Sequence, residues 1–150
     1  HISAGATHAC GVTAAGDAYC WGDNSHGKLG DDTLVDSRVP VQVLGGHQFT
    51  AITTGANHTC GLTTGGAIYC WGNNINAQLG VGVTNVAIRI PTIVAGGYSF
   101  THVESYNNHT CAITVEGNLY CWGDDDFHQL GKGPSISGDS NVPSLLLIFR

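Results

Sequence analysis

The sequence predicts an all-β chain assembled from three copies of one unit. The first observation is repetition. THACGVTAAGDAYCWGDNSHGKLG returns as NHTCGLTTGGAIYCWGNNINAQLG and again as NHTCAITVEGNLYCWGDDDFHQLG. The copies are marked by Cys10, Cys60 and Cys111, at offsets of 50 and 51 residues. A period of that size marks supersecondary units that cannot bury their apolar faces alone. The second observation is composition. Gly is abundant at 22 residues, Asn, Thr, Ser and β-branched residues fill the background, and long helical patterns are missing, which favours strands and turns.

The second copy shows the elements most clearly. Phe49 to Thr53 (FTAIT) is a short β-prone run and His58 to Thr63 (HTCGLT) is the next. Thr64-Gly65-Gly66 supplies a turn, and Ala67 to Trp71 (AIYCW) returns. A long polar segment leads to Pro91, after which Thr92 to Ala95 (TIVA) forms a fourth strand. Pro91 is expected at the strand start, where its missing donor does least harm. Four short strands with turn chemistry between them therefore make up each copy.

Register follows from the central hairpin. If Cys60 faces Cys70, then Gly61 faces Tyr69 and Leu62 faces Ile68. Side chains alternate along a strand, so Cys60, Leu62, Ile68 and Cys70 share one face, and Tyr69 and Trp71 share the other with Gly61. The other copies repeat this with Cys10/Cys20 and Gly11/Tyr19, and with Cys111/Cys121 and Ala112/Tyr120. A tiny residue opposite a large ring lets a neighbouring sheet pack over it.

Directly opposed positions bring Cα atoms close to the short end of disulfide reach. The expected bonds are Cys10–Cys20, Cys60–Cys70 and Cys111–Cys121. Free buried thiols and metal binding are the rivals. A His lies two positions before each first Cys, giving His8, His58 and His109. That makes three soft ligands per copy, one short of a closed zinc site. Hydrogen bonding that fixes the hairpin is the preferred role for these histidines.

These residues resemble the repeat of the regulator of chromosome condensation family. The resemblance rests on Gly5, His8, Tyr19, Trp21, Gly22, Asn24, Gly27, Leu29 and Gly30, and on Gly55, His58, Tyr69, Trp71, Gly72, Asn74, Gln78, Leu79 and Gly80. The third copy adds His109, Tyr120, Trp122, Gly123, Gln129, Leu130 and Gly131. The copy departs from the pattern where Tyr106 stands for Gly55, Asp125 for the motif Asn, and Ala77 and His128 for Gly27. The resemblance implies a β-propeller with one four-stranded blade per repeat. The cysteine-flanked hairpin with its C-W-G step is similar to the secreted and cell-surface branch of the family. The chain reads as a single propeller segment, 1–150, made of repeats 1–47, 48–97 and 98–150.

A closed propeller takes four to eight blades, so three leave an incomplete ring. Ile2 at one end, and Leu145, Leu146, Leu147, Ile148 and Phe149 at the other, are expected to be covered by copies of the chain or by the remainder of a longer one. Exposed apolar edges invite such pairing.

Charge and motifs narrow the function. The net charge is −6 and only 11% of residues are charged, which suits neither nucleic acid nor an anionic membrane surface. No apolar run is long enough to insert as a membrane span. Paired cysteines point to an oxidising compartment, hence an extracellular or cell-surface location. Asn57-His58-Thr59 and Asn108-His109-Thr110 are sequons that permit N-glycosylation at Asn57 and Asn108. Asp124-Asp125-Asp126 lacks calcium-loop spacing and reads as a solvated turn. No nucleophile elbow, paired carboxylates or phosphate loop emerges. The expectation is a non-enzymatic extracellular scaffold without cofactor or metal that binds a protein partner. The alternatives are a structural subunit assembling head to tail into a ring or filament, and a metal-dependent or glycan-active protein.

Overall fold

The structure, a computed structural model, describes residues 1–134 and 138–146. Its strands form three four-stranded antiparallel sheets, each in sequence order. The first holds β1 (Ile2–Ala4), β2 (His8–Val12), β3 (Ala18–Gly22) and β4 (Ser37–Gln42). The second holds β5 (Phe49–Thr54), β6 (His58–Thr63), β7 (Ile68–Gly72) and β8 (Ile88–Ile93). The third holds β9 (Phe100–Tyr106), β10 (His109–Thr114), β11 (Leu119–Gly123) and β12 (Ser140–Leu145). Each sheet is a blade, and the three do not close into a ring.

The hairpin register is as the sequence implies: Cys60 opposes Cys70, Gly61 opposes Tyr69 and Leu62 opposes Ile68. The turn at its tip is set by one threonine. The Thr63 N–H donates to Ala67 O at 2.9 Å, and Thr63 Oγ1 accepts from Ala67 N at 3.1 Å. Gly66 at φ 84° closes the turn, in a region open mainly to glycine. Thr13 and Thr114 repeat the arrangement.

The fourth strand differs from expectation. In the second blade it runs over Ile88–Ile93, so Pro91 lies inside it. The strand tolerates proline for two reasons. β8 is outermost and bonds only to β7. The pairing also shifts between Cys70↔Thr92 and Gly72↔Ile88, so Pro91 sits within a bulge. Pro40 and Pro143 occupy the same place in β4 and β12.

The core lies between blades. One cluster joins Cys10, Ala18, Cys20 and Leu29 of the first blade to Phe49, Ile52 and Trp71 of the second. The other joins Cys60, Leu62, Ile68 and Cys70 to Phe100, Val103, Ala112 and Trp122 of the third. The first and second blades therefore each set their cysteine face against the aromatic face of the blade that follows. Glycine makes this approach close. A Cβ on Gly30 would lie 2.7 Å from the Trp71 indole nitrogen. The ring directly over Gly61 is Phe49, from the blade's own first strand, 2.5 Å from where a Cβ would stand. Gly61 thus makes room for Phe49 as well as facing Tyr69.

Candidate functional site

Disulfides join Cys10 to Cys20, Cys60 to Cys70 and Cys111 to Cys121, each with Cα atoms 4.1 Å apart. Closing so short a loop contributes about 2–3 kcal/mol through the unfolded state. The first two bonds are fully buried beneath the next blade's Phe and Trp. Cys111 is half-buried, because neither of the other two described blades covers its face.

Beside each of the first two disulfides a histidine and a threonine join the blades. His8 Nε2 lies 2.8 Å from Thr59 Oγ1, and that hydroxyl donates to Lys28 O at 2.8 Å. Its one proton is thereby used, so the histidine nitrogen carries the N–H and donates to it. The second junction repeats the relay, with His58 Nε2 to Thr110 Oγ1 at 2.9 Å and Thr110 Oγ1 to Gln78 O at 3.1 Å. The histidines thus bridge neighbouring blades, which the sequence alone did not reveal. Reading the hairpins separately assigned them to one hairpin each.

Burial keeps these rings neutral. It lowers the His58 pKa to about 3, assisted by the neighbouring His8 and His109. Burial, with Lys28 nearby, lowers His8 to about 4 against the opposing pull of Asp23. Burial also lowers His109, with Asp124 opposing. A neutral, hydrogen-bonded imidazole wedged between sheets is a structural fastener.

Lys28 stands where the second blade has Gln78. Its ammonium is enclosed by Thr7 Oγ1 at 2.9 Å, Asn57 Oδ1 at 2.8 Å and the Asp23 carboxylate. The ion pair holds Asp23 well below the usual carboxylate range. The sequon residue Asn57 is thus engaged across the first junction, and Asn108 accepts from Gln78 Nε2 at 3.5 Å across the second. Both asparagines are half-buried, while Thr59 and Thr110 are fully buried.

The loop after β3 turns on one buried side chain. Asn24 Oδ1 accepts from Leu29 N and Asn74 Oδ1 from Leu79 N, at 3.0 and 3.1 Å. Their amides donate onward, as Asn74 does to Val83 O at 2.7 Å. Asp125 cannot donate. Its Oδ1 accepts from Leu130 N, and Lys132 approaches its Oδ2 at 3.1 Å in place of the missing amide contact. The substitution is therefore balanced by a lysine seven positions on. Asp124 and Asp126, with Asp139, bring carboxylate oxygens within 4.8 Å of one another on an exposed loop.

Two faces are left open. On the first blade, Trp21 is half-buried while Trp71 and Trp122 are fully enclosed. On the third blade, Cys111, Ile113, Leu119, Cys121 and Leu146 line an apolar recess of about 240 Å³. Of the residues expected at the ends, Ile2 lies exposed on β1 and Leu145 exposed on β12. Leu146 packs toward Gly131, which a Cβ would bring within 3.4 Å. Leu147, Ile148 and Phe149 lie outside the described residues. Contacts between blades run face to face, through the cysteine and aromatic sides, and also between the first strands β1, β5 and β9, where Thr54 N donates to Ser3 Oγ at 3.1 Å and Ser105 N to Thr53 Oγ1 at 2.9 Å.

Comparison with known proteins finds the same repeat period. A family model described as the regulator of chromosome condensation (RCC1) repeat matches residues 15–62, 65–113 and 116–150. A second model with that description matches 1–28, 49–78 and 100–129. The human E3 ubiquitin-protein ligase HERC2 is 34% identical over 139 residues, covering 88% of this chain and 3% of HERC2. The ultraviolet-B receptor UVR8 of Arabidopsis thaliana is 34% identical over 144 residues, covering 94% of this chain and 33% of the receptor. Among solved structures, yeast RCC1 (Prp20) bound to Kap60 superimposes with a TM-score of 0.84 at 22% identity, covering 99% of this chain and 37% of that one. The chain thus spans about a third or less of the proteins it matches.

Proposed function

The chain belongs to the regulator of chromosome condensation (RCC1) repeat family, and on that premise we propose that it is a non-enzymatic propeller segment that binds protein partners outside the cytosol. The observation that carries the reading is the pair of open faces. Each presents groups that are buried inside the chain's own junctions: half-buried Trp21 on one side, and the recess around Cys111–Cys121 on the other. Apolar surface rimmed by polar loops suits a protein partner. The three disulfides support an extracellular or cell-surface setting. Yeast RCC1 (Prp20), which shares this fold, has been solved with Kap60 bound to it.

A head-to-tail ring or filament of copies is the second reading. The cysteine face of one chain would meet the tryptophan face of another, a heterologous contact that can propagate.

The test uses the oxidised full chain. Proteins cross-linked to it at the surface of secreting cells are identified, purified and titrated against the chain and against Ile113→Lys. A purified partner that binds the chain, and binds Ile113→Lys about tenfold more weakly or worse, supports the reading. Partners indifferent to the substitution, or a chain that reaches its place of action with reduced cysteines, overturn it.

A further inference from the structure

The loops after β3, β7 and β11 leave the blades at the end opposite the central hairpin tips. Contacts tie them into one rim. Asp32 N donates to Arg89 O at 3.2 Å, joining the first loop to the second blade. Gly82 N donates to Asn141 O at 2.8 Å and Asn76 Nδ2 to Asp139 Oδ2 at 3.4 Å, joining the second loop to the third blade. This second seam lies between two neighbouring blades inside the chain, away from its outward blade faces.

The loops of the second and third blades share a scaffold and present different side chains. Asn76 N donates to Gln78 Oε1 at 2.9 Å, and Phe127 N donates to Gln129 Oε1 at 2.8 Å. The two turns are built by the same bond, so the fold makes no demand on the side chain at their tip. His26, Asn76 and Phe127 hold that position in the three copies. Polar residues serve twice, and the third is a phenylalanine that stands 87% exposed. Ile75, beside Asn76 on the neighbouring loop, is 60% exposed. A large ring held in water where asparagine builds the same turn suits a contact outside the chain.

Charge sets the chemistry of that contact. Of the eleven Asp and Glu residues, four lie in loop 23–36 and four in loop 124–139. Lys28, Arg89 and Lys132 pair with Asp23, Asp32 and Asp125. Among the described residues no cation pairs with Asp124, Asp126 or Asp139, whose carboxylate oxygens lie within 4.8 Å of one another.

We propose that the rim at the seam of the second and third blades, built on Phe127 and Ile75 and bordered by Asp124, Asp126 and Asp139, docks a segment of a protein partner in which arginine or lysine alternates with apolar residues. Charge complementarity selects the cation and excludes acidic segments. Phe127 offers its face to a guanidinium or to the methylene stem behind it, and Ile75 offers apolar cover to the neighbouring residue. The inference rests on the protein-binding reading and supplies the chemistry of the partner.

The test titrates the oxidised, nitrogen-15-labelled full chain with a synthetic Arg-Leu-Arg-Leu-Arg peptide, followed by amide shifts. The expected shifts fall on Asn76, Asp126 and Phe127. Phe127→Ser keeps the net charge, and Asp126→Asn keeps the size of the side chain. Each is expected to weaken binding about fivefold or more. An Arg-Gly-Arg-Gly-Arg peptide should bind more weakly by a similar factor, and Glu-Leu-Glu-Leu-Glu should not bind. Peptide mapping of the three disulfides establishes that each variant is folded. The proposal is overturned if the Arg-Leu peptide does not bind, if its shifts fall elsewhere, or if Phe127→Ser or the Arg-Gly peptide binds as tightly as the original pair. Ile113 lies at the hairpin end of β10, and the rim lies beyond the opposite end, where His109 faces Gly123. Failure at the rim therefore leaves the partner-binding reading to its own test with Ile113→Lys.

Discussion

His58 Nε2 lies 2.9 Å from the hydroxyl of Thr110, across the boundary between the second and third blades, and both side chains are fully buried. Residues 52 positions apart are thereby held by one proton, whose position follows from where the threonine sends its own. The same pair recurs as His8 and Thr59. The indoles at the two junctions differ: Trp71 Nε1 donates to Lys28 O at 2.9 Å, whereas Trp122 Nε1 has no hydrogen-bond partner among the described residues.

That difference orders two substitutions. Thr110→Val removes the only side-chain donor to the Gln78 carbonyl among the described residues and strands the His58 N–H. Thr59→Val leaves Lys28 O still bonded to the Trp71 indole. Each is expected to destabilise by about 1–3 kcal/mol, the cost of orphaned buried groups, with Thr110→Val the larger. Urea denaturation of the oxidised chain measures both, and the reverse order would contradict the relay.

Acid should loosen the junctions through the histidines. The folded pKa of His58 is about 3 and that of His8 about 4, against 6.5 for a free imidazole. The unfolded chain therefore binds more protons between those values. Stability is fully present above about pH 6.5 and falls as the pH drops toward 4 and then 3. The thermal midpoint is expected to decline between pH 7 and pH 5. The decline should be shallower in His58→Gln, which does not titrate there, even though that variant is less stable at pH 7. An equally steep decline in His58→Gln would place the acid sensitivity elsewhere.

How much of this could be read from the chain follows from what repeats. The Cys60–Cys70 register, the shared face of Tyr69 and Trp71 and the count of sheets all depend on local alternation, which strings of ten residues display. Pro91 was misplaced because a bulge opposite Trp71 lengthens β8, and nothing in the run IRIPTI signals it. The histidine role was missed for a different reason. Its partner lies one full repeat away, so the pairing appears only when blades are stacked. The signal was present, since T follows H in two copies and A in the first. The balance of Asp125 by Lys132 was also hidden, because it rests on a loop contact rather than a period.

Tryptophan should matter in proportion to the blade in front of it. Trp71 is fully buried against Gly30, whereas Trp21 is half-buried and neither of the other two described blades packs over it. Trp71→Ala is expected to cost about 3–5 kcal/mol, the range for a buried aromatic. Trp21→Ala should cost distinctly less. Equal losses would mean that the first blade's aromatic face is already covered.

Lys28 and Asp23 should behave as one unit. The ammonium is fully buried, while the Asp23 side chain is 33% exposed. Asp23→Asn leaves a buried cation without its counter-charge, a class of change that costs about 3–5 kcal/mol when the pair is fully enclosed. The partial exposure of Asp23 should bring the loss below that range. Lys28→Gln with Asp23→Asn recreates the Gln78 and Asn73 pair of the second blade. The double variant is expected to be more stable than Asp23→Asn alone. A double-mutant cycle by chemical denaturation tests this, and strict additivity would show the two side chains to be uncoupled.

The disulfides should open in an order set by cover. Thiol–disulfide exchange requires a thiolate to reach a sulfur, so access governs its rate in bonds of like chemistry. Cys10, Cys20, Cys60 and Cys70 are each 0% exposed beneath a following blade, whereas Cys111 is half-buried at an open face. Limited reduction of the folded chain, followed by alkylation and peptide mapping, should label Cys111 and Cys121 first. The other two pairs should react only as the blades separate, and hence in step with loss of the tryptophan signal from Trp71 and Trp122. A protein partner seated on the third blade's cysteine face should protect Cys111–Cys121 to the level of its neighbours. Equal rates for all three bonds in the isolated chain would mean that the third blade's cysteine face is covered or that the junctions open freely. Either outcome would contradict the unequal cover from which the order is derived.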